Sequence, residues 1–299
     1  MRKQNIIGMF LGLAIGDAMG SALEFTPIRE KEHFVKDYQK SPNFPIEPGQ
    51  WTDDTSMALA IADALIENDG NWNPTDTMDN FLDWYQSGKY SCIGRCFDIG
   101  NTCRDALHRY MMDSATPYQG DTDPQTSGNG ALMRMAPVIM VASSLEEAME
   151  LAVNQTKLTH GSDLCIHYSK ALAYDLFFGG KSSYEGTDFK MDRNQVMTTG
   201  FVQHSYDAAW WAVRNGKDFE SAIIKAINLG GDADTIGAIA GQIAGAHYGA
   251  HNIPEWMLSG LYNRKELEKI AVHLYNIGRK KKLQKPTDIR KCFAVTHMN

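Results

Sequence analysis

Carboxylates and hydroxyls in two short runs, Thr52-Asp53-Asp54-Thr55 and Asp232-Ala233-Asp234-Thr235, carry the strongest chemical signal in this chain. Each opens a small-residue, apolar segment that reads as a helix, so each run stands at a helix start. Taken singly, either run is explained as an N-cap, because Asp and Thr accept from free amides and suit the positive end of the helix dipole. A cap needs one side chain, however, and each run supplies two carboxylates and a threonine, with Thr52 adding a hydroxyl to the first. Four carboxylates brought together would repel one another unless a cation sat between them. Glu24, beside Phe25, offers a fifth. Cys and His are absent from both runs, which disfavours zinc and favours a hard cation such as magnesium, manganese or calcium. The ligand count is sufficient for two ions, which in binuclear enzymes sit about 3.5–4 Å apart.

The elements that must position these residues read as helices throughout. Nearly every apolar stretch follows helical spacing and alternating strands are hard to find, which predicts an all-α fold. Ser144-Leu145-Glu146-Glu147 has the form of a capping box, and Asn73-Pro74 places a capping side chain before a proline at the first helical position. Gly8, Gly12, Gly16 and Gly20 recur every fourth residue in the first helix; Gly237, Gly241, Gly245 and Gly249 do so after the second acidic run. Such stripes allow close backbone approach but cost about 1 kcal/mol per Gly relative to Ala. Both helices are therefore expected to be central, holding the two acidic runs against each other. Loops are expected over 26–50, 117–130 and 179–192. The run Arg279-Lys280-Lys281-Lys282, continuing to Lys285, reads as a solvated helix end facing the negative end of the dipole.

No composition break divides the 299 residues, so a single domain over 1–299 is expected. A net charge of −7 argues against binding nucleic acid or an anionic membrane. Arg2 and Lys3 before Ile6–Ile15 superficially suggest a signal peptide, but Asp17 and the glycine spacing weaken that reading. No apolar run reaches the roughly 20 residues that span a bilayer. Cys92, Cys96, Cys103, Cys165 and Cys292 match no zinc spacing and fit reduced thiols in a cytoplasmic protein.

Five segments together resemble the ADP-ribosylglycohydrolases: Gly16-Asp17-Ala18-Met19-Gly20 with Glu24; Trp51 to Thr55; Gly128-Asn129-Gly130-Ala131-Leu132-Met133-Arg134; Thr159-His160; and Gly230 to Gly237. Phe97 to Arg104 is similar to the dinitrogenase reductase-activating branch, which removes ADP-ribose from arginine. The resemblance implies an all-α fold and two divalent cations, Mg2+ or Mn2+, held by Thr52, Asp53, Asp54, Asp232, Asp234 and Thr235. It implies that the ions engage the distal ribose hydroxyls, and that Glu24, Asp54, Asp98 and Asp232 form the catalytic group. ADP-ribose and an ADP-ribosylated protein would be the partners. Ser127, Gly128, Asn129 and Gly130 would let backbone amides approach a diphosphate, His160 would lie at the ADP-ribose pocket, and Phe201 would stack on adenine. Each has a plainer alternative: a turn, a core histidine and a core aromatic. Asp98 would meet the arginine guanidinium or, equally, cap the helix at Asn101-Thr102-Cys103. His204 stands where many members carry an acid. Other readings that keep the site are hydrolysis of O-linked ADP-ribose, on serine or in free compounds, and binding of ADP-ribose without turnover.

Overall fold

The computed structural model describes residues 2–182 and 191–284, and there the helical periodicity is realised as thirteen α-helices. In chain order they are α1 (Lys3–Gly20), α2 (Asp53–Glu67), α3 (Pro74–Ser87), α4 (Asn101–Met112), α5 (Gly130–Met133), α6 (Ala136–Val141) and α7 (Leu145–Lys157). There follow α8 (Asp163–Phe177), α9 (Val202–Asn215), α10 (Phe219–Ile227), α11 (Ala233–Tyr248), α12 (Glu255–Gly260) and α13 (Arg264–Gln284). Extended pairing among the described residues is limited to isolated bridges, Asp121 with His160 and Gly128 with Phe201.

The centre is α1 against α11. From Ile6 to Gly20 every residue of α1 is buried, as a helix without a polar face must be. The two helices run antiparallel, with Gly8 facing Gly245, Gly12 facing Gly241, and Gly16 facing Gly237. A Cβ on Gly12 would stand 2.1 Å from the Gly241 carbonyl oxygen, and one on Gly241 only 1.9 Å from the Gly12 oxygen. Backbone therefore meets backbone, and any side chain would force the helices apart. Gly249, which the spacing placed on the same stripe, instead ends α11 with φ +82°. Because the helices are antiparallel, the start of α11 lies at the end of α1, bringing Asp232 and Asp234 to Asp17 and Glu24.

One hydrophobic core runs from Ile6 to Ile277, filled in part by α2, α6 and α13. The expected caps form: Asn73 accepts from the Thr75 and Asp76 amides, and Ser144 accepts from the Glu147 amide. The Glu147 carboxylate turns to Ser143, whose backbone N–H donates to it at 2.9 Å. The basic end of α13 is more than a solvated terminus. Lys280 pairs with Asp69 at 2.6 Å, while Lys281 pairs with Glu147 and donates to the Gly70 carbonyl at 2.9 Å. Lys285 and Cys292 lie outside the described residues; the other four cysteines are unbridged. No helix among the described residues is long and apolar enough to cross a membrane.

Candidate metal centre

Three helix ends converge on the acidic residues. Asp17, fully buried near the end of α1, accepts from Thr52 N at 2.9 Å, Thr52 Oγ1 at 2.8 Å, Thr55 N at 2.9 Å and Thr55 Oγ1 at 2.6 Å. The cap of α2 thus comes from another helix. Thr52, in the N-cap position, makes no capping bond of its own, and neither Asp53 nor Asp54 serves as one. Asp232 occupies the N-cap position of α11, again without a side-chain capping bond; its Oδ2 accepts from Asn129 Nδ2 at 2.7 Å. Asn129 is held in turn by Ser205 Oγ at 2.7 Å. The capping explanation therefore gives way for Asp53, Asp54 and Asp232, while Asp234 accepts from the Thr235 amide through Oδ1 at 2.9 Å and keeps Oδ2 toward the other acids.

Those carboxylates crowd one another. Carboxylate oxygens of Asp17, Asp54 and Asp234 lie within 4.8 Å of one another, as do those of Glu24, Asp98 and Asp234. Thr52 Oγ1 is 3.2 Å from both Asp54 Oδ2 and Asp234 Oδ2, with a single proton to share between them and Asp17. Burial, followed by the charges of Asp234, Asp232 and Asp53, pushes Glu24 up to about 12. Burial, followed by Asp234, Glu24 and Asp54, does the same to Asp98, also to about 12. Burial above all holds Asp53, Asp54 and Asp234 well above the carboxylate range, with neighbouring carboxylates adding to it. No ion pair among the described residues reaches the group. Asp54 Oδ1 and Glu24 Oε2 are buried without any hydrogen-bond partner. Orphaned oxygens in an all-oxygen, uncompensated acidic nest fit a hard divalent cation.

Above this nest lies a cavity of about 590 Å3. Glu24, Asp53, Asp98, Asp232, Asp234 and Thr235 line one side, and Gly128, Asn129, Gly130 and His160 another. Asp17, Thr52 and Asp54 lie outside its lining, buried beneath. Asp98 does not cap α4, whose N-cap is Gly100; it sits at φ +61° and belongs to the acidic group.

The Gly128 turn and Phe201 have partners within the protein. The Gly128 amide donates to Thr126 O at 2.7 Å and the Asn129 amide to Gly200 O at 3.0 Å, so neither is available to a diphosphate. Ser127 is turned away, its hydroxyl 2.8 Å from Ser162 Oγ. Phe201 precedes α9, its ring packs 5.2 Å from that of His204, and it is absent from the cavity lining. His204 itself bonds Thr199 Oγ1 at 2.8 Å.

Asp17 was the residue whose role the sequence concealed. Its signal was present, since it is the sole charge between Ile6 and Gly20. Phe25, next to Glu24, also lines the cavity, is 72% exposed and adopts φ +58°.

Comparison with known proteins agrees with this geometry. The ADP-ribosylglycohydrolase family model matches residues 1–177 and 181–284. ADP-ribosylarginine hydrolase Tri1 of Pseudomonas putida (strain GB-1) is 37% identical over 291 residues, covering 90% of this chain and 77% of the relative. ADP-ribosyl-[dinitrogen reductase] glycohydrolase of Rhodospirillum rubrum is 31% identical over 284 residues, covering 88% and 92%. A solved structure titled ADP-ribosylglycohydrolase-related protein complex superposes with a TM-score of 0.79 at 33% identity, covering 92% of this chain and 98% of that one. The chain belongs to the ADP-ribosylglycohydrolase family and is a hydrolytic enzyme.

Proposed function

We propose that the protein is a divalent-cation-dependent hydrolase that cuts the N-glycosidic bond between ADP-ribose and an arginine side chain. The observation carrying this reading is the meeting of Glu24, Asp98 and Asp234 at the cavity wall above the deeper Asp17, Asp54 and Asp234 group. The names of the two relatives, an ADP-ribosylarginine hydrolase and a dinitrogen reductase glycohydrolase, support the substrate class.

Thr52, Asp53, Asp54, Asp232, Asp234 and Thr235 would hold two cations, Mg2+ or Mn2+, with Glu24 on the open side. When bound, such cations neutralise the nest and offer hard partners to the vicinal hydroxyls of the distal ribose. Asp17 orients Thr52 and Thr55, and Asn129 orients Asp232, so these carboxylates present fixed oxygens. With its neighbours neutralised, Glu24 can stand ionised and take a proton from the attacking water. Water oxygen bonds to C1'' while the arginine nitrogen departs with the bonding pair. Asp98 accepts guanidinium N–H bonds and aligns the leaving group.

The test is ADP-ribose release from arginine-linked and serine-linked proteins, using chelated enzyme with Mg2+ or Mn2+ restored. Release from the arginine conjugate upon cation addition is expected. No release under any condition sinks the reading, and release from the serine conjugate alone transfers it to O-glycosidic hydrolysis.

A further inference from the structure

Arg134 is a cation with no solvent exposure, and no carboxylate among the described residues forms an ion pair with it. Burying such a group is costly unless its donors are met. Its guanidinium lies 4.6 Å from the centre of the Phe81 ring. Nε donates to Gln155 Oε1 at 3.1 Å, and Nη2 donates to Gln155 O at 3.3 Å and to Thr159 Oγ1 at 2.7 Å. Thr159 Oγ1 is in turn 2.7 Å from His160 Nδ1. A chain of contacts therefore links the buried charge to the His160 imidazole in the cavity lining.

Counting protons gives this chain a direction. Guanidinium only donates, so Thr159 Oγ1 must accept at that end and keeps its own proton for another partner. Two groups face that proton: His160 Nδ1 and the Cys103 thiol, a weak acceptor. Burial, together with the Arg134 charge, holds His160 down at about 3, so the ring is neutral, with one nitrogen accepting and the other donating. Thr159 donating to Nδ1 leaves the ring proton on Nε2. That nitrogen lies over the Gly128–Gly130 turn: a Cβ on Gly128 would stand 3.2 Å from it, and one on Gly130 3.3 Å. The glycines thus make room for the ring, and no protein acceptor among the described residues takes the Nε2 proton.

We infer that Arg134, acting through Thr159, fixes the Nε2–H tautomer of His160 so that the ring donates to an oxygen of the bound ADP-ribosyl group. Arg134 and Thr159 are positioning residues. The identity of the accepting oxygen rests on the ADP-ribosyl reading above; the tautomer does not.

The experiment is long-range 1H–15N NMR of the histidine rings in the full-length, Mg2+-loaded protein, with His160→Gln assigning the signal, followed by ADP-ribose titration in the same Mg2+ buffer. Wild type is expected to show Nε2–H with a hydrogen-bonded Nδ1. In Thr159→Val the Nδ1 resonance should move to that of an unbonded ring nitrogen and ADP-ribose affinity should fall about tenfold; Thr159→Ser should restore both. Arg134→Met, which removes the directing donor, should populate Nδ1–H; if it does not fold, the Thr159 pair decides. An Nδ1–H ring in wild type, or a Thr159→Val protein with unchanged Nδ1 and unchanged affinity, overturns the inference. A wild-type Nε2–H ring in a protein that binds no ADP-ribose sinks the functional reading instead and leaves the relay standing.

Discussion

Asp54 and Asp17 are both fully buried acids, yet their surroundings ask opposite things of them. Asp17 accepts four hydrogen bonds from Thr52 and Thr55, whereas Asp54 Oδ1 has none. An Asp54→Asn substitution removes a like charge from the nest without changing its shape. At pH 7 the chelated variant should therefore be more stable than wild type by about 1 kcal/mol, because wild type must protonate or tolerate repulsion there. The same variant should lose most of the thermal shift that Mn2+ induces, and its turnover should drop at least about 100-fold. Thermal melts with and without Mn2+ check both signs; a variant that keeps the wild-type cation shift contradicts the assignment of Asp54 as a ligand. The two acidic runs were legible in the sequence because two carboxylates and a hydroxyl exceed what a cap requires. Asp17 was not, because its work depends on a contact between positions 35 and 38 residues apart. Nor could the turn at Gly128 reveal that its amides are taken by Thr126 and Gly200.

At the scale of elements, the glycine stripes decide where the acids meet. In an exposed helix, replacing Gly by Ala gains up to about 1 kcal/mol. At Gly241 the sign should reverse, since the new Cβ would meet the Gly12 carbonyl oxygen at 1.9 Å. Gly241→Ala should destabilise measurably, and Gly241→Leu by about 3 kcal/mol or more in urea unfolding. Mn2+ affinity should weaken in the same order, because α1 and α11 carry carboxylates of one site. The stripe was readable from its four-residue interval, but which glycine of one helix faced which of the other required the antiparallel register. The pair that joins α7 to α13, Glu147 with Lys281, offers a second test. Burial opposes ionisation of Glu147, but the Lys281 pair and the Ser143 hydroxyl and amide outweigh it and lower the carboxyl to about 2. A depressed carboxyl contributes stability above its unfolded value near 4.5 and loses it as pH falls toward 2. Discounted for partial exposure, Glu147→Gln should cost about 1 kcal/mol at pH 7, with the difference from wild type shrinking below pH 4.5 and nearly gone at about pH 2. A constant difference across that range would show that the pair contributes nothing through ionisation. The basic run was visible in the sequence; that it ties α13 to Asp69, Gly70 and Glu147 was not.

For the molecule as a whole, the acidic nest couples folding, protons and cations. Glu24 and Asp98 are raised to about 12, chiefly by burial and then by their neighbours. A group whose folded value lies above its unfolded one contributes stability that is complete below the unfolded value and is lost as pH rises. The chelated protein should therefore lose stability from about pH 4 upward, at a slope of roughly 1.4 kcal/mol per pH unit for each proton retained by the folded state. Cation binding requires ionised carboxylates and so must expel those protons, which makes cation affinity rise with pH. The gap in melting temperature between Mn2+-loaded and chelated protein should accordingly widen from pH 5 to pH 8. Titrating Mn2+ in two buffers of different ionisation enthalpy should report protons released. A gap independent of pH, with no proton release, would mean that the carboxylates are already ionised without the cation, and that crowding in the nest is relieved by something other than protonation.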